Sequence, residues 1–180
     1  MPELPLEPKP GRFNVVIETP KGSRSKFNYV HASSIIKLGK QLPAGAVFPY
    51  DFGFLPSTRA PDGDPIDVLL LMETPTFPGC LVRARLIGVI DAEQSSKQGR
   101  MVRNPRLVAV GTKAIEYKGV KKLSDLPPPL IEDIEHFFIA YNERAGKKFK
   151  VLGHGGRKRA IGMARNGRIA RLRGTPVSTA

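Results

Sequence analysis

Three carboxylates stand within six residues of one another: Asp62, Asp64 and Asp67, in the run DGDPID. Like charges this close repel, and burying them unpaired is costly. A loop that carries them either leaves them in water or gathers them on a cation. The VLLLM run that follows Asp67 reads as an apolar strand, which draws that end of the loop out of solvent. Gly63 and Pro65 fix the loop so that its carboxylates can converge. Oxygen-only ligands suit a hard cation: Mg²⁺, Mn²⁺ or Ca²⁺. An EF-hand is excluded. Counted from Asp62, Glu73 stands at position 12, but position 6 is Asp67 instead of glycine, position 5 is Ile66, and no helices flank the loop. On spacing alone, a solvated acidic turn explains the run equally well.

Cations weigh against that bland explanation. Lys21, Arg24, Lys26, Lys40 and Arg106 fall in or beside predicted strands. Any one of them alone reads as a solvated surface charge. Together with carboxylates that hold metal, they describe a site for a polyanion such as a phosphate ester or anhydride.

The elements that must position these groups are mostly strands. FNVVIE (13–18) and KFNYV (26–30) read as a strand pair joined by PKGSRS. Residues 31–47 are mixed, punctuated by Pro43-Ala44-Gly45. VFPYDFGFLP (47–56) clusters aromatics around Gly53, a pattern of close packing against a sheet. Further strands are predicted over 68–72, 80–91 and 106–112, so at least five precede any convincing helix. That order favours an antiparallel barrel over βαβ units. LIEDIEHFFIAYNERA (130–145) is the first helix, with Leu130, Ile134, Phe137, Phe138 and Tyr141 on one face. KKFKVLGH forms a last strand, and residues 157–173 could continue as a basic helix weakened by Gly162 and Gly167.

At 180 residues, with 41% apolar and 25% charged side chains, the chain suits one globular domain. No run approaches the roughly 18 apolar residues of a membrane span, and the N-terminus lacks a secretory design. A lone cysteine, Cys80, sits in an apolar run and reads as a buried structural thiol. A cytoplasmic location is expected. The net charge of +13 is uneven: residues 1–142 hold 18 Lys/Arg against 15 Asp/Glu, and residues 143–180 hold 11 against Glu143 alone. The expected organisation is a domain over 1–156 and a basic, weakly ordered extension over 157–180. Truncation after Gly156 is then expected to spare activity. The extension could act by charge, binding nucleic acid non-specifically with steep salt dependence; a solvated tail without a partner is the plainer expectation.

Several segments, in order, resemble the soluble family I inorganic pyrophosphatases. DGDPIDVL (62–69) is similar to the family's Asp-x-Asp-Pro-apolar-Asp-apolar signature. VVIETPKGSRSKF (15–27), FPYDFGFLPSTRAPDGDP (48–65), PGCLVRARLIGVI (78–90), RLVAV (106–110) and DLPPPLIEDIEHFFIAYN (125–142) follow the same collinear pattern. The resemblance covers roughly 13–153. It implies a mainly β, α+β fold: a small, distorted five-stranded OB-like barrel with one or two flanking helices. It implies Mg²⁺-dependent hydrolysis of pyrophosphate to two phosphates, with Mn²⁺ as an alternative metal, in a homo-oligomer. Carried over residue by residue, Asp62 and Asp67 would hold the activating metals and Asp64 would be the base. Glu18 would support further metals, with Glu93, alongside Asp91, standing for the family's later acidic loop. Lys26, Lys40, Arg106 and Tyr141 would contact the phosphates.

The sequence departs from the family pattern at several of these places. Asn28 stands where an acid is usual, Phe48 and Phe52 where tyrosines are, Lys40 for an arginine and Asn142 for a lysine. The last metal-binding aspartate is represented by Asn104 or Pro105. Two alternatives follow. One is a degenerate member with weak activity or retuned to another phosphate compound. The other is a nucleic-acid-binding barrel, suggested by the basic tail, against which stand the lack of aromatics in 150–180 and an acidic loop that repels phosphate without metal.

Overall fold

Strands buried on both faces read as unbroken apolar runs, and VLLL (68–71) and RLVAV (106–110) are such runs because the sheet carries a core on each side. The computed structural model describes residues 4–30, 33–61, 63–96 and 98–169. In chain order the strands are β1 (Phe13–Thr19), β2 (Ser25–Val30), β3 (Ile35–Gln41), β4 (Asp51–Phe54), β5 (Asp67–Leu71), β6 (Leu81–Ser95), β7 (Met101–Arg103) and β8 (Arg106–Gly111). A 3₁₀ turn (Leu123–Asp125), α1 (Pro128–Glu143), β9 (Phe149–Gly156) and α2 (Arg157–Asn166) complete the order.

The main sheet runs β1-β4-β5-β8-β6, and β6 pairs back with β1, so five strands close into a ring. This is the OB-like architecture expected from the sequence. β6 spans 15 residues and serves both β1, along its first part, and β9, along its last. One pairing departs from the antiparallel expectation: β5 and β8 are parallel, with Val68 opposite Leu107. β2 and β3 form a separate hairpin. β3 lies in the stretch read as mixed, since most of its side chains face solvent and give no apolar alternation.

Two cores follow from side-chain alternation. Leu69, Leu71, Ile90, Val108 and Val110 face α1 and its Ile134 and Phe138. Val68, Leu70, Leu86, Leu107 and Ala109 face the opposite way, with Leu6, Ala160 and Ala164. Gly53 is where β4 crosses β1 most closely: a Cβ there would lie 2.0 Å from the Val16 carbonyl oxygen. The aromatic cluster around it packs as expected, Phe48 and Phe52 meeting Phe137, Phe138 and Tyr141. α1 begins at Pro128, a residue suited to the first helical turn.

The basic segment differs from a weakly ordered extension starting at 157. Residues 157–166 are helical, and Ala160 and Ala164, four apart on one face, are fully buried against the second core. Small side chains let the helix approach the sheet, which outweighs the propensity cost of Gly162. Arg159 pairs with Asp91 and Arg165 with Glu7. The chain then returns through Gly167, whose carbonyl accepts from Arg59 N, and Ile169, whose N–H donates to Ser57 O. Residues 170–180, with the remaining basic side chains Arg171 and Arg173, lie outside the described residues.

Candidate active site

The pairing of β5 with β8 brings Asp67 beside Arg106, since Val68 and Leu107, one residue further on, are opposite each other. Their side chains form an ion pair at 2.7 Å. Arg106 is 6% exposed and lies between the rings of Phe52, Phe138 and Phe149, 5.5–5.9 Å from each centroid. A guanidinium so placed cannot leave, and its position is fixed before any ligand arrives.

Across the cavity, β1 seats the β2–β3 hairpin. Glu18 Oε1 accepts from Tyr29 N at 2.7 Å and Oε2 from Lys26 Nζ at 2.9 Å, while Thr19 Oγ1 accepts from Phe27 N. Lys26 is thereby held over the Phe52 ring, 4.8 Å from its centroid. From β3, Lys40 lies 3.8 Å over the ring of Tyr141 on α1. Asp64 stands exposed at the edge, in a turn closed by Ala60 N donating to Asp64 O and Gly63 N to Ala60 O. Ile66 N donates to Thr58 Oγ1 and ties the loop down before β5.

Glu18, Lys26, Lys40, Asp64, Asp67, Arg106 and Tyr141 all line one cavity of about 450 Å³. Asp62 lies outside the described residues, so its candidate role stays with the sequence. Glu93, expected from the resemblance, does not line the cavity, and its neighbour Gln94 does. Alternation along β6 is the reason, because Ile90 and Ala92 face α1 and Gln94 continues their side. Asp91 is likewise engaged elsewhere, with Arg159. Asn104, not Pro105, enters the cavity, together with Lys147 and Asn142. Lys147 and Gln94 were not singled out in the sequence; a lysine after a helix end and a lone amide carry no motif.

Burial pushes the Tyr141 phenol up to about 12, aided by Asp67 and Glu18 and opposed by Arg106. Its hydroxyl therefore stays a proton donor at neutral pH. Burial, reinforced by the charges of Lys147 and Lys26, holds the Lys40 ammonium below the usual lysine range. Lys40 thus loses its proton, and its grip on an anion, at lower pH than an ordinary lysine. Lys40→Arg replaces it with a group that stays charged. In a pH profile of KM for pyrophosphate, the alkaline rise of the parent should shift to higher pH in this variant. An unmoved rise would assign it to another group.

Carboxylates, fixed cations and a protonated phenol around one cavity suit a phosphoryl hydrolase. The inorganic pyrophosphatase family model matches residues 15–168, through α2. An inorganic pyrophosphatase from Synechocystis is 35% identical over 150 residues, 83% of this chain and 86% of that protein. Another from Methanosarcina acetivorans is 36% identical over 152 residues, 84% and 88% of the two chains. The crystal structure of the Thermus thermophilus inorganic pyrophosphatase superposes with a TM-score of 0.82 at 33% identity, covering 92% of this chain and 94% of that one. The chain belongs to the inorganic pyrophosphatase family, and with it to the hydrolases that split pyrophosphate into two phosphates.

Proposed function

We propose that this cavity hydrolyses pyrophosphate with Mg²⁺, Mn²⁺ serving as a substitute, and that its residues take the roles the resemblance implies. One observation carries the reading: Glu18, Lys26, Lys40, Asp64, Asp67, Arg106 and Tyr141, from five separate stretches of sequence, line a single cavity. The donor set fits a hard cation. Asp64 and Asp67 offer only oxygen, from a loop stiffened by Pro65, and Asp62 belongs to the same loop. Among the described residues no three His, Cys, Asp or Glu side chains gather as a ligand cluster, and Asp62 lies outside them. Asp62, Asp64 and Asp67 would hold the Mg²⁺, which when bound would supply charge for the phosphates and acidify water. Asp64, in contact with solvent, accepts the proton of the attacking water. Lys26, Lys40, Arg106 and the Tyr141 hydroxyl donate to phosphate oxygens, and the buried guanidinium meets charge that grows on the leaving phosphate. Glu18 keeps Lys26 and the hairpin in place.

A homo-oligomer is supported by large apolar side chains left exposed, Phe77 at 65% and Ile115 at 81%. A cytoplasmic location is supported by the single cysteine. No helix among the described residues is long and apolar enough to cross a membrane. Basic residues of α2 are partly consumed in ion pairs with Asp91 and Glu7, which leaves nucleic acid a minor partner at most. Phosphate release from pyrophosphate with Mg²⁺, with Mn²⁺ and with chelator tests the reading. Release that requires the metal is expected; none at any Mg²⁺ concentration overturns it.

A further inference from the structure

One wall of the cavity is built from amides. Gln94 comes from β6 and Asn104 from the segment before β8, where Asn104 meets both Arg106 and Gln94. A single group sets the direction of every hydrogen bond there. A guanidinium only donates, so the Asn104 atom that meets Arg106 Nη1 is the acceptor Oδ1. Asn104 Nδ2 then donates to Gln94 Oε1 at 3.2 Å. With its oxygen engaged, Gln94 has its Nε2 donors left, and they have no partner among the described residues. Donor polarity thus runs from a fixed cation through two amides to the cavity. Arg106 adds a second sign of the same preference. It is 6% exposed, and its buried Nε has no hydrogen-bond partner among the described residues. Lys147 lines the cavity as well. Such a wall repels a divalent cation and accepts an anion.

We infer that Gln94 is a phosphate-binding residue, its Nε2 donating to a phosphoryl oxygen, and that divalent cations are held by the carboxylates Glu18, Asp64 and Asp67 and not by these amides. The inference rests on the pyrophosphate reading and refines it: where two carboxylates could hold a further cation, Gln94 and Asn104 hold the anion directly. The amides fix the cation content of the site as well as one substrate contact.

Two binding measurements test it apart from turnover. Inorganic phosphate is titrated without metal, and Mn²⁺ is titrated without phosphate, into the parent, Gln94→Met, Gln94→Glu and Gln94→Glu/Asn104→Asp. Methionine keeps the length of glutamine and removes the donors. Gln94→Met should weaken phosphate binding by about ten- to a hundred-fold, the worth of a hydrogen bond to a charged group. Gln94→Glu should weaken it further, and the double variant should bind more Mn²⁺ ions per chain than the parent. Phosphate affinity in Gln94→Met within twofold of the parent overturns the contact. Equal Mn²⁺ stoichiometry in the parent and the double variant overturns the exclusion of cations from the amides. Thermal melts of each variant show that the fold persists. Failure of the parent to release phosphate from pyrophosphate would instead strike the underlying reading, and the two results are read separately.

Discussion

Asp67→Asn should lower Mg²⁺-dependent pyrophosphate hydrolysis by roughly two to three orders of magnitude, the several kcal/mol that a metal-holding carboxylate supplies to the transition state. The fold should survive. Asp67 is also the partner of Arg106, at 2.7 Å, and that arginine is buried among three aromatic rings. Asparagine keeps an oxygen that can accept from the guanidinium, so the stability cost stays at about 1–3 kcal/mol. Asp67→Ala removes the acceptor altogether and should cost more, about 3–5 kcal/mol, because a buried charge is left without its counter-ion. The pair of variants separates the two duties of the carboxylate: both lose turnover at saturating Mg²⁺, and the alanine variant melts well below the asparagine variant. Turnover of Asp67→Asn near that of the parent would remove Asp67 from the catalytic machinery.

Much of this site is legible in the sequence because its chemistry is concentrated in short runs. DGDPID announces a carboxylate loop, and the apolar run after it announces the strand that fixes Asp67. What the sequence hides is long-range. Nothing local says that β5 and β8 lie parallel, yet that register is what sets Asp67 against Arg106. β3 is hidden by exposure, since a strand without a buried face has no period to read. Lys40 nevertheless comes into the site on it. The choice between Glu93 and Gln94 turns on which face of β6 each occupies. An irregularity between Leu86 and Gly88 leaves Ile87 as an extra residue of that strand, so counting by twos from its start misplaces its end. The acid was the natural choice from residue type, and the neutral amide is the one that faces the cavity.

Removing residues 157–180 should cost the protein both stability and activity, whereas removing residues 170–180 alone should leave turnover within a few-fold of the parent. A basic, glycine-interrupted sequence looks detachable, but α2 closes the second core. Ala160 and Ala164 are fully buried, with Ile161 and Met163 packed at the margin. Exposing the sheet beneath them should cost roughly 3–5 kcal/mol, from lost burial and an open cavity. The end of the helix also supports the acidic loop. Gly167 O accepts from Arg59 N at 2.8 Å, Arg168 bridges Thr58, and Ile169 N donates to Ser57 O at 3.0 Å. Thr58 in turn accepts from Ile66 N, immediately before Asp67. Gly167 packs so tightly on this loop that a Cβ there would lie 2.5 Å from Ile66 Cδ1. Cutting after Gly156 therefore frees the segment that aims Asp64 and Asp67, even in molecules whose ring remains closed. Cutting after Ile169 leaves every one of these contacts. Melting curves and phosphate release from the two truncated proteins decide the matter. Parental melting and turnover in the shorter one would show that α2 supports neither the core nor the carboxylates.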